Sequence, residues 1–278
     1  MVVHQHRRRP GRAGRTACAV GLALAVAALS GCGGDAAAGD DRPADDPAAA
    51  VRAAADTLAK TGSARARTAM EMATGGTRVT IRGEGGVDFK SRMGQLLVML
   101  PDDAKGKAEH RPITELLVPG ALYMKNRGAG VPDDKWVRVD TTALADGNLV
   151  TGGATDPMAA AELLRGAQDV TYVGETEVAG TKVRHYRGTT DIARAAAAAS
   201  PAVKGSLEAA AKGFSKDAVP FDAYLDAEGR LRKVCHRFTY VNNGVIDVSS
   251  TTLLYGFGTP VTVVLPAEGD IYAGKIAD

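Results

Sequence analysis

The sequence predicts an α+β protein built on an antiparallel β-sheet. Three observations carry that expectation: apolar and polar residues alternate with a period of two along much of the chain, turn dipeptides separate those runs, and only a few short stretches keep a helical period. The composition agrees. With 278 residues, 45% hydrophobic and 24% charged, the chain is globular rather than disordered or collagen-like.

Residues 1–31 read as a secretory signal. Arg7, Arg8, Arg9, Arg12 and Arg15 precede an apolar run over 17–29, and the segment contains no acid. Thirteen residues of helix rise about 20 Å, short of the roughly 30 Å hydrocarbon core, so the run is a targeting segment rather than a span. Its end, Leu29-Ser30-Gly31-Cys32, resembles the lipobox of bacterial lipoproteins. That resemblance implies a lipidated Cys32 as the first mature residue; the alternative is an ordinary signal peptide that happens to carry a cysteine. Each acyl chain contributes about 0.8 kcal/mol per buried CH₂, and two chains make a stable anchor. No later apolar run reaches about 18 residues, so the membrane is expected as a partner only through this lipid, on the extracytoplasmic face.

Without the leader, 29 basic residues stand against 32 acidic ones, which removes the electrostatic case for nucleic acid as a partner. Cys18 leaves with the leader and Cys32 takes the lipid, so Cys235 is left without a disulfide partner and reads as a small buried residue on a strand. Residues 32–46 lack large apolar side chains and form a flexible tether with a typical reach of about 20 Å. Residues 47–278 then form the folded domain.

That domain opens with a helix over 47–60, capped by Asp46, started by Pro47 and stopped by Gly62. The period then becomes twofold over 65–72, 79–82 and 87–93. Gly75-Gly76 and Gly85-Gly86 sit where hairpin turns would fall. Leu96 to Leu100 is apolar at every position, which predicts a strand dry on both faces. Ile113–Val118 and Ala121–Lys125 flank a Pro119-Gly120 turn, and Trp136–Asp140 is a further strand. A Gly- and Thr-rich loop over 146–156 leads to a short helix over 157–165. A strand pair over 169–178 and 181–190 follows, joined at Ala179-Gly180. The alanine-rich stretch 191–214 is helical and interrupted at Ser200-Pro201. Strands over 219–226, 231–241 and 245–257 turn at Glu228-Gly229 and Asn243-Gly244, and 261–265 is expected to close the sheet.

Several of these stretches together resemble the LppX/LprG/LprF-like lipoproteins. They are the lipobox and tether, Tyr123-Met124-Lys125, Trp136–Asp140, Gly174-Glu175 with Gly180, His185-Tyr186-Arg187-Gly188, Leu225-Asp226-Ala227-Glu228-Gly229, and the run from Tyr255 to Val261, in that order. The resemblance implies a strongly curved antiparallel sheet, a half-barrel of LolA type with helices packed in its concavity. It also implies a cavity for acyl chains and a role in holding or moving lipids outside the cytoplasmic membrane.

The residues themselves meet that expectation partway. The short Ala195, Ala196, Ala199, Ala209, Ala210 and Ala211 either let helix and sheet approach closely or leave a void between them, and the doubly apolar strands favour the void. Leu97, Met99, Leu116, Val118, Tyr123, Phe238 and Tyr240 are the candidate ligand-wall residues, with plain core as the alternative for each. No nucleophile elbow, Walker loop or metal-ligand spacing occurs, so no cofactor, metal or catalytic residue is expected. His236 alternates with Val234, Phe238 and Tyr240, the pattern of a core histidine. The expected function is non-catalytic binding or transfer of a hydrophobic ligand in the cell envelope. An interaction or sensory lipoprotein with a filled core is the alternative, marked by an exposed apolar patch without an enclosed cavity.

Overall fold

The structure is a computed structural model that describes residues 46–74, 76–101, 111–128, 130–150, 156–214, 218–241 and 245–274. Cys32, the leader, the tether and the Asn243-Gly244 turn therefore lie outside the described residues.

The first helical stretch forms where its cap and proline place it, as α1 (Pro47–Arg52) and α2 (Ala54–Thr61) separated by Ala53. Asp46 accepts a hydrogen bond from the Ala49 N–H at 2.9 Å, and Gly62 ends the stretch at φ 99°. Six strands follow: β1 (Ser63–Thr74), β2 (Thr77–Asp88), β3 (Met93–Met99), β4 (Ile113–Val118), β5 (Ala121–Lys125) and β6 (Trp136–Asp140). Helix α3 (Pro157–Leu163) runs on into a short 3₁₀ turn, Leu164–Gly166, and leads to β7 (Ala167–Val178) and β8 (Thr181–Asp191). Then come α4 (Ile192–Ala198), α5 (Pro201–Gly213), β9 (Ala218–Leu225), β10 (Leu231–Val241) and β11 (Val245–Tyr255).

The eleven strands form one antiparallel sheet in the order β6-β5-β4-β3-β2-β1-β11-β10-β9-β8-β7, an open half-barrel with β6 and β7 as its edges. Nine of its ten pairings join strands adjacent in sequence; the exception is β1 with β11, which sets Arg65 opposite Tyr255 and Thr68 opposite Thr252 at the sheet's centre. Two meanders are thus sewn together by one long-range pairing. Helices cover one face. There Val51 and Leu58 join Leu96, Val98, Ile113 and Leu117 in one apolar cluster, while Ile192, Leu207 and Phe214 join Met70, Phe238 and Val248 in a second.

A buried carboxylate ties the helices to the sheet. Glu162 on α3 accepts from Arg92 at 2.8 Å, from Arg165 at 2.6 Å and from the Ser200 N–H at 3.1 Å, and Arg165 also reaches Asp56 on α2 at 2.7 Å. Burial would raise the Glu162 carboxyl; these donors outweigh it and hold the group below its usual range.

Three local expectations are corrected. Gly85-Gly86 is no turn: β2 runs through it, and the chain reverses at 89–92, where Asp88 accepts from the Lys90 and Ser91 N–H groups. Glycine is needed at Gly85 for close approach, because a Cβ there would lie 1.9 Å from the Gln95 carbonyl oxygen. The apolar run from Leu96 alternates after all: Leu96 and Val98 are buried while Leu97 and Met99 are 47% and 46% exposed.

Residues 261–265, finally, add no strand. The segment after β11 forms a strap pinned at both ends. Ser63 holds its start, donating to the Thr259 carbonyl at 2.7 Å and accepting the Gly258 N–H on its own carbonyl at 2.8 Å. A Cβ on Gly86 would lie 2.9 Å from Val261, so the strap presses on the face away from the helices. Its end reaches β6, where Ile271 bridges Trp136 in parallel and the Tyr272 N–H donates to the Trp136 carbonyl at 2.8 Å. Among the described residues no helix is long and apolar enough to cross a membrane.

Candidate ligand-binding site

Among the described residues the concave side is closely packed. Ala159, Ala160, Ala161, Ala195, Ala196 and Ala210 are all buried, and their short side chains bring backbones together. A Cβ on Gly147 would lie 2.0 Å from the Ser206 carbonyl oxygen, and one on Gly213 would lie 1.7 Å from that of Ala145. The space left between α3, α5 and the β4–β5 hairpin is about 30 Å³, room for one or two waters and not for a fatty tail. Close packing, the first of the two outcomes open to an alanine-rich helix, is the one realised here.

Register explains where the candidate wall residues went. Leu96 faces Glu115 and Val98 faces Ile113 on the helix side, so Leu97, Met99, Leu116, Val118 and Tyr123 fall on the opposite face. Leu116 is buried there, Val118 and Tyr123 are half-buried, and the Arg138 guanidinium lies 6.0 Å from the Tyr123 ring centroid. Of the five, Val118 alone borders the small space of about 30 Å³ beside the β4–β5 hairpin. A strand apolar at every position still hands alternate residues to each face, and composition alone does not say which face the helices take. Phe238 is buried on the helix side; the backbone of Tyr240 continues β10, and its side chain lies outside the described residues.

Phe238 marks a break in the sheet. Strands β9 and β10 pair from Leu231 opposite Leu225 as far as His236 opposite Phe221, and then separate. Beyond that point β9 stays with β8 to Ala218 and β10 stays with β11 to Val241. Pro220 stands at the parting. It has no N–H to give a neighbour, so it belongs at a strand edge rather than within a ladder.

The parting opens a groove of about 460 Å³. Phe238, Val219 and Val248, all members of the second apolar cluster, reach it, and Ala73, Ala218 and Pro220 extend its apolar lining. Arg237, Arg78, Glu71 and Asp247 supply its charges. Behind Phe238 lies Phe214, ring centroids 5.5 Å apart, so apolar core begins directly beneath the opening. Pro220 within an apolar strand was the available sequence signal for this break; Val219 and Val248 carried none.

A polar cluster flanks the groove. Asp222 is almost fully buried and accepts from Arg237 Nη2 at 2.6 Å, His185 Nε2 at 2.7 Å and Arg187 Nε at 2.9 Å. Burial would raise this carboxyl, but the three donors hold it down at about 2. His185 stacks on Tyr224 at 4.4 Å between centroids, and Lys233 Nζ lies 5.3 Å from the same ring centroid. Sequence spacing hides this group, because it forms only when β8, β9 and β10 align Arg187 and Cys235 with Asp222. His236, by contrast, is the core residue its alternation predicts: fully buried between the Phe221 and Phe238 rings, without a described partner, its basicity lowered by burial to about 3.

Solved structures give the fold its likenesses. The chain is similar to lipoprotein LppX from Mycobacterium tuberculosis, with a TM-score of 0.49 and 12% identity over 78% of this chain and 97% of that one. It is similar to LprF from Mycobacterium bovis, with a TM-score of 0.41 and 14% identity over 81% and 99%. A LolA superfamily protein from Nitrosomonas europaea follows at 0.33 and 11% over 77% and 96%. The likeness is to LppX/LprF-like proteins of the LolA fold. At these identities it is a likeness of fold. No protein-family model matches the chain, and no curated protein does.

Proposed function

We propose that the chain is a lipoprotein held at the extracytoplasmic face of the membrane by lipid on Cys32, and that it binds the apolar part of an amphiphilic ligand without catalysis. The observation that carries the binding site is the parting of β9 from β10, which brings Phe238, Val219 and Val248 to the wall of a groove of about 460 Å³. That volume falls within the roughly 300–1,000 Å³ of small-molecule sites. The ligand enters through the sheet and not into a hollow beneath the helices. The lipobox, the tether and the order of motifs shared with LppX/LprF-like proteins support the address.

Native mass spectrometry on the mature chain with Cys32→Ser, after exposure to a membrane lipid extract, tests this reading. Near-stoichiometric lipid is expected on the parent. Loss of that lipid is expected with Ala218→Trp, which fills the groove from an exposed position at small cost to the core. A parent that emerges bare, or an Ala218→Trp chain that carries as much lipid as the parent, overturns it. A second reading rests on the filled interior: an interaction module using the groove of about 560 Å³ between Leu97, Met99 and the strap residues Pro260 and Val261. A bare parent would favour that reading.

A further inference from the structure

We propose that Arg187 and Arg237 form a binding site for a phosphate-class oxyanion, placed to hold the headgroup of an amphiphile whose apolar part enters the neighbouring groove. The groove half of this statement rests on the reading above; the anion half does not.

Charge count singles the cluster out. Where ion pairs form elsewhere on the same sheet face, arginine and acid meet one to one, as in Arg67 with Glu84 and Arg78 with Glu71. The Glu162 group balances Arg92 and Arg165 against Glu162 and Asp56. At Asp222 two guanidiniums share one carboxylate, so among the described ion pairs this is the group where cations outnumber acids. Lys233, over the Tyr224 ring, adds a further positive charge nearby. This surplus sits on a mature chain with more acids than bases.

Geometry makes the surplus usable. Arg187 gives Nε to one Asp222 oxygen and Arg237 gives Nη2 to the other, which sets the two guanidiniums within about 8 Å of each other. Their side chains are 61% and 50% exposed, so a good part of each guanidinium stays open to a ligand from solvent. Held at one end by Asp222, each fork has lost part of its rotamer freedom before any ligand arrives, which lowers the cost of binding. Planar guanidiniums donating in parallel suit a tetrahedral oxyanion. Arg237 also lines the groove, so a headgroup at the pair and a tail against Phe238 belong to one molecule of ordinary amphiphile dimensions.

Calorimetry on the mature Cys32→Ser chain tests the site with three probes: inorganic phosphate, dihexanoyl phosphatidate and neutral dihexanoylglycerol. The expected result is about tenfold tighter binding of the phosphatidate than of the glyceride, corresponding to about 1.4 kcal/mol, with the preference falling as salt rises. Arg187→Gln and Arg237→Gln should each erase most of that preference, and Arg187→Gln, which lies outside the groove lining, should leave glyceride binding unchanged. Arg187→Lys, which keeps the charge and loses the fork, should keep part of it. Arg187 is the more exposed of the two, so its variants keep the test valid if Arg237→Gln melts early. Equal binding of both lipids, indifferent to Arg187→Gln, overturns the anion site and leaves the apolar groove standing. Arginine-dependent phosphate binding with neither lipid bound supports the site as one for free oxyanion, and it is the groove reading that then fails. No arginine-dependent signal from phosphate or phosphatidate overturns the proposal.

Discussion

Two carboxylates, one in each half of the sheet, are equally hidden from water and behave in opposite ways. Glu115 on β4 faces the helices with no hydrogen-bond partner for either oxygen among the described residues, and burial pushes its carboxyl up to about 8. Asp222 on β9 faces away from the helices, accepts three hydrogen bonds, two of them from arginine, and sits at about 2. Burial thus favours the neutral acid where partners are missing, and donors reverse that outcome where they are present. The first half of the sheet carries a protonated acid as core filler; the second carries a fixed anion that organises cations around it.

The largest expected effect comes from removing the unpartnered acid. Because the folded Glu115 value lies above that of the unfolded chain, its burial costs little below about pH 4.5 and increasingly more up to about pH 8. Glu115→Leu should therefore raise stability by about 4 kcal/mol at pH 8 and by much less at pH 4.5, read from urea unfolding at the two pH values. An equal gain at both would show that ionisation of Glu115 is not what burial suppresses. Next, Asp222→Asn should cost about 2 kcal/mol at pH 7, a figure kept modest because both arginines are half exposed. Here the folded value lies below the unfolded one, so this contribution is present above about pH 3.8 and fades as pH falls towards 2. A cost that persists in acid would point to packing instead of charge.

Tyr186 sharpens the contrast, since it lies in the Asp222 half but its buried hydroxyl has no described partner. Tyr186→Phe should leave stability unchanged or raise it by about 1 kcal/mol in a thermal melt, following the pattern of Glu115 and not that of Asp222. The smallest effect belongs to Leu97→Ser. On the outer face and half exposed, it should move stability by less than about 0.5 kcal/mol and leave lipid loading of the mature chain intact.

Much of the fold was legible because its pairings are local. Period-two runs with turn dipeptides between them predicted hairpins, and all but one of the strand pairings are hairpin or meander neighbours. The Asp46 cap was legible for the same reason, since a cap acts within a few residues of itself; Asp156 and Asp191 cap α3 and α4 in the same way without having been read from the sequence. What failed depends on contacts far apart in sequence. The role of Gly85 is set by the backbone of β3, the outward turn of Leu97 by which face the helices occupy, and the Asp222 cluster by the register of three strands. The groove lies between these cases: Pro220 offered a signal of an interrupted ladder that the strand reading over 219–226 passed over, and nothing in the sequence showed that apolar core stood behind it.

The strap over the outer face also decides how the molecule tolerates company. An open sheet ends in two rows of unpaired backbone groups, each a template for another copy. At β7 the row is irregular, with register shifts near Thr171 and Gly174 and the exposed acids Glu175 and Glu177 beside them. At β6 the chain's own Ile271 and Tyr272 occupy the start of the row, at Trp136. Trimming the chain before residue 266 would uncover that end of β6 while leaving the helices and both apolar clusters in place, and the shortened protein is expected to self-associate more readily as concentration rises, as light scattering would show. The strap's far end thus works as a guard against pairing between copies at one edge of the sheet.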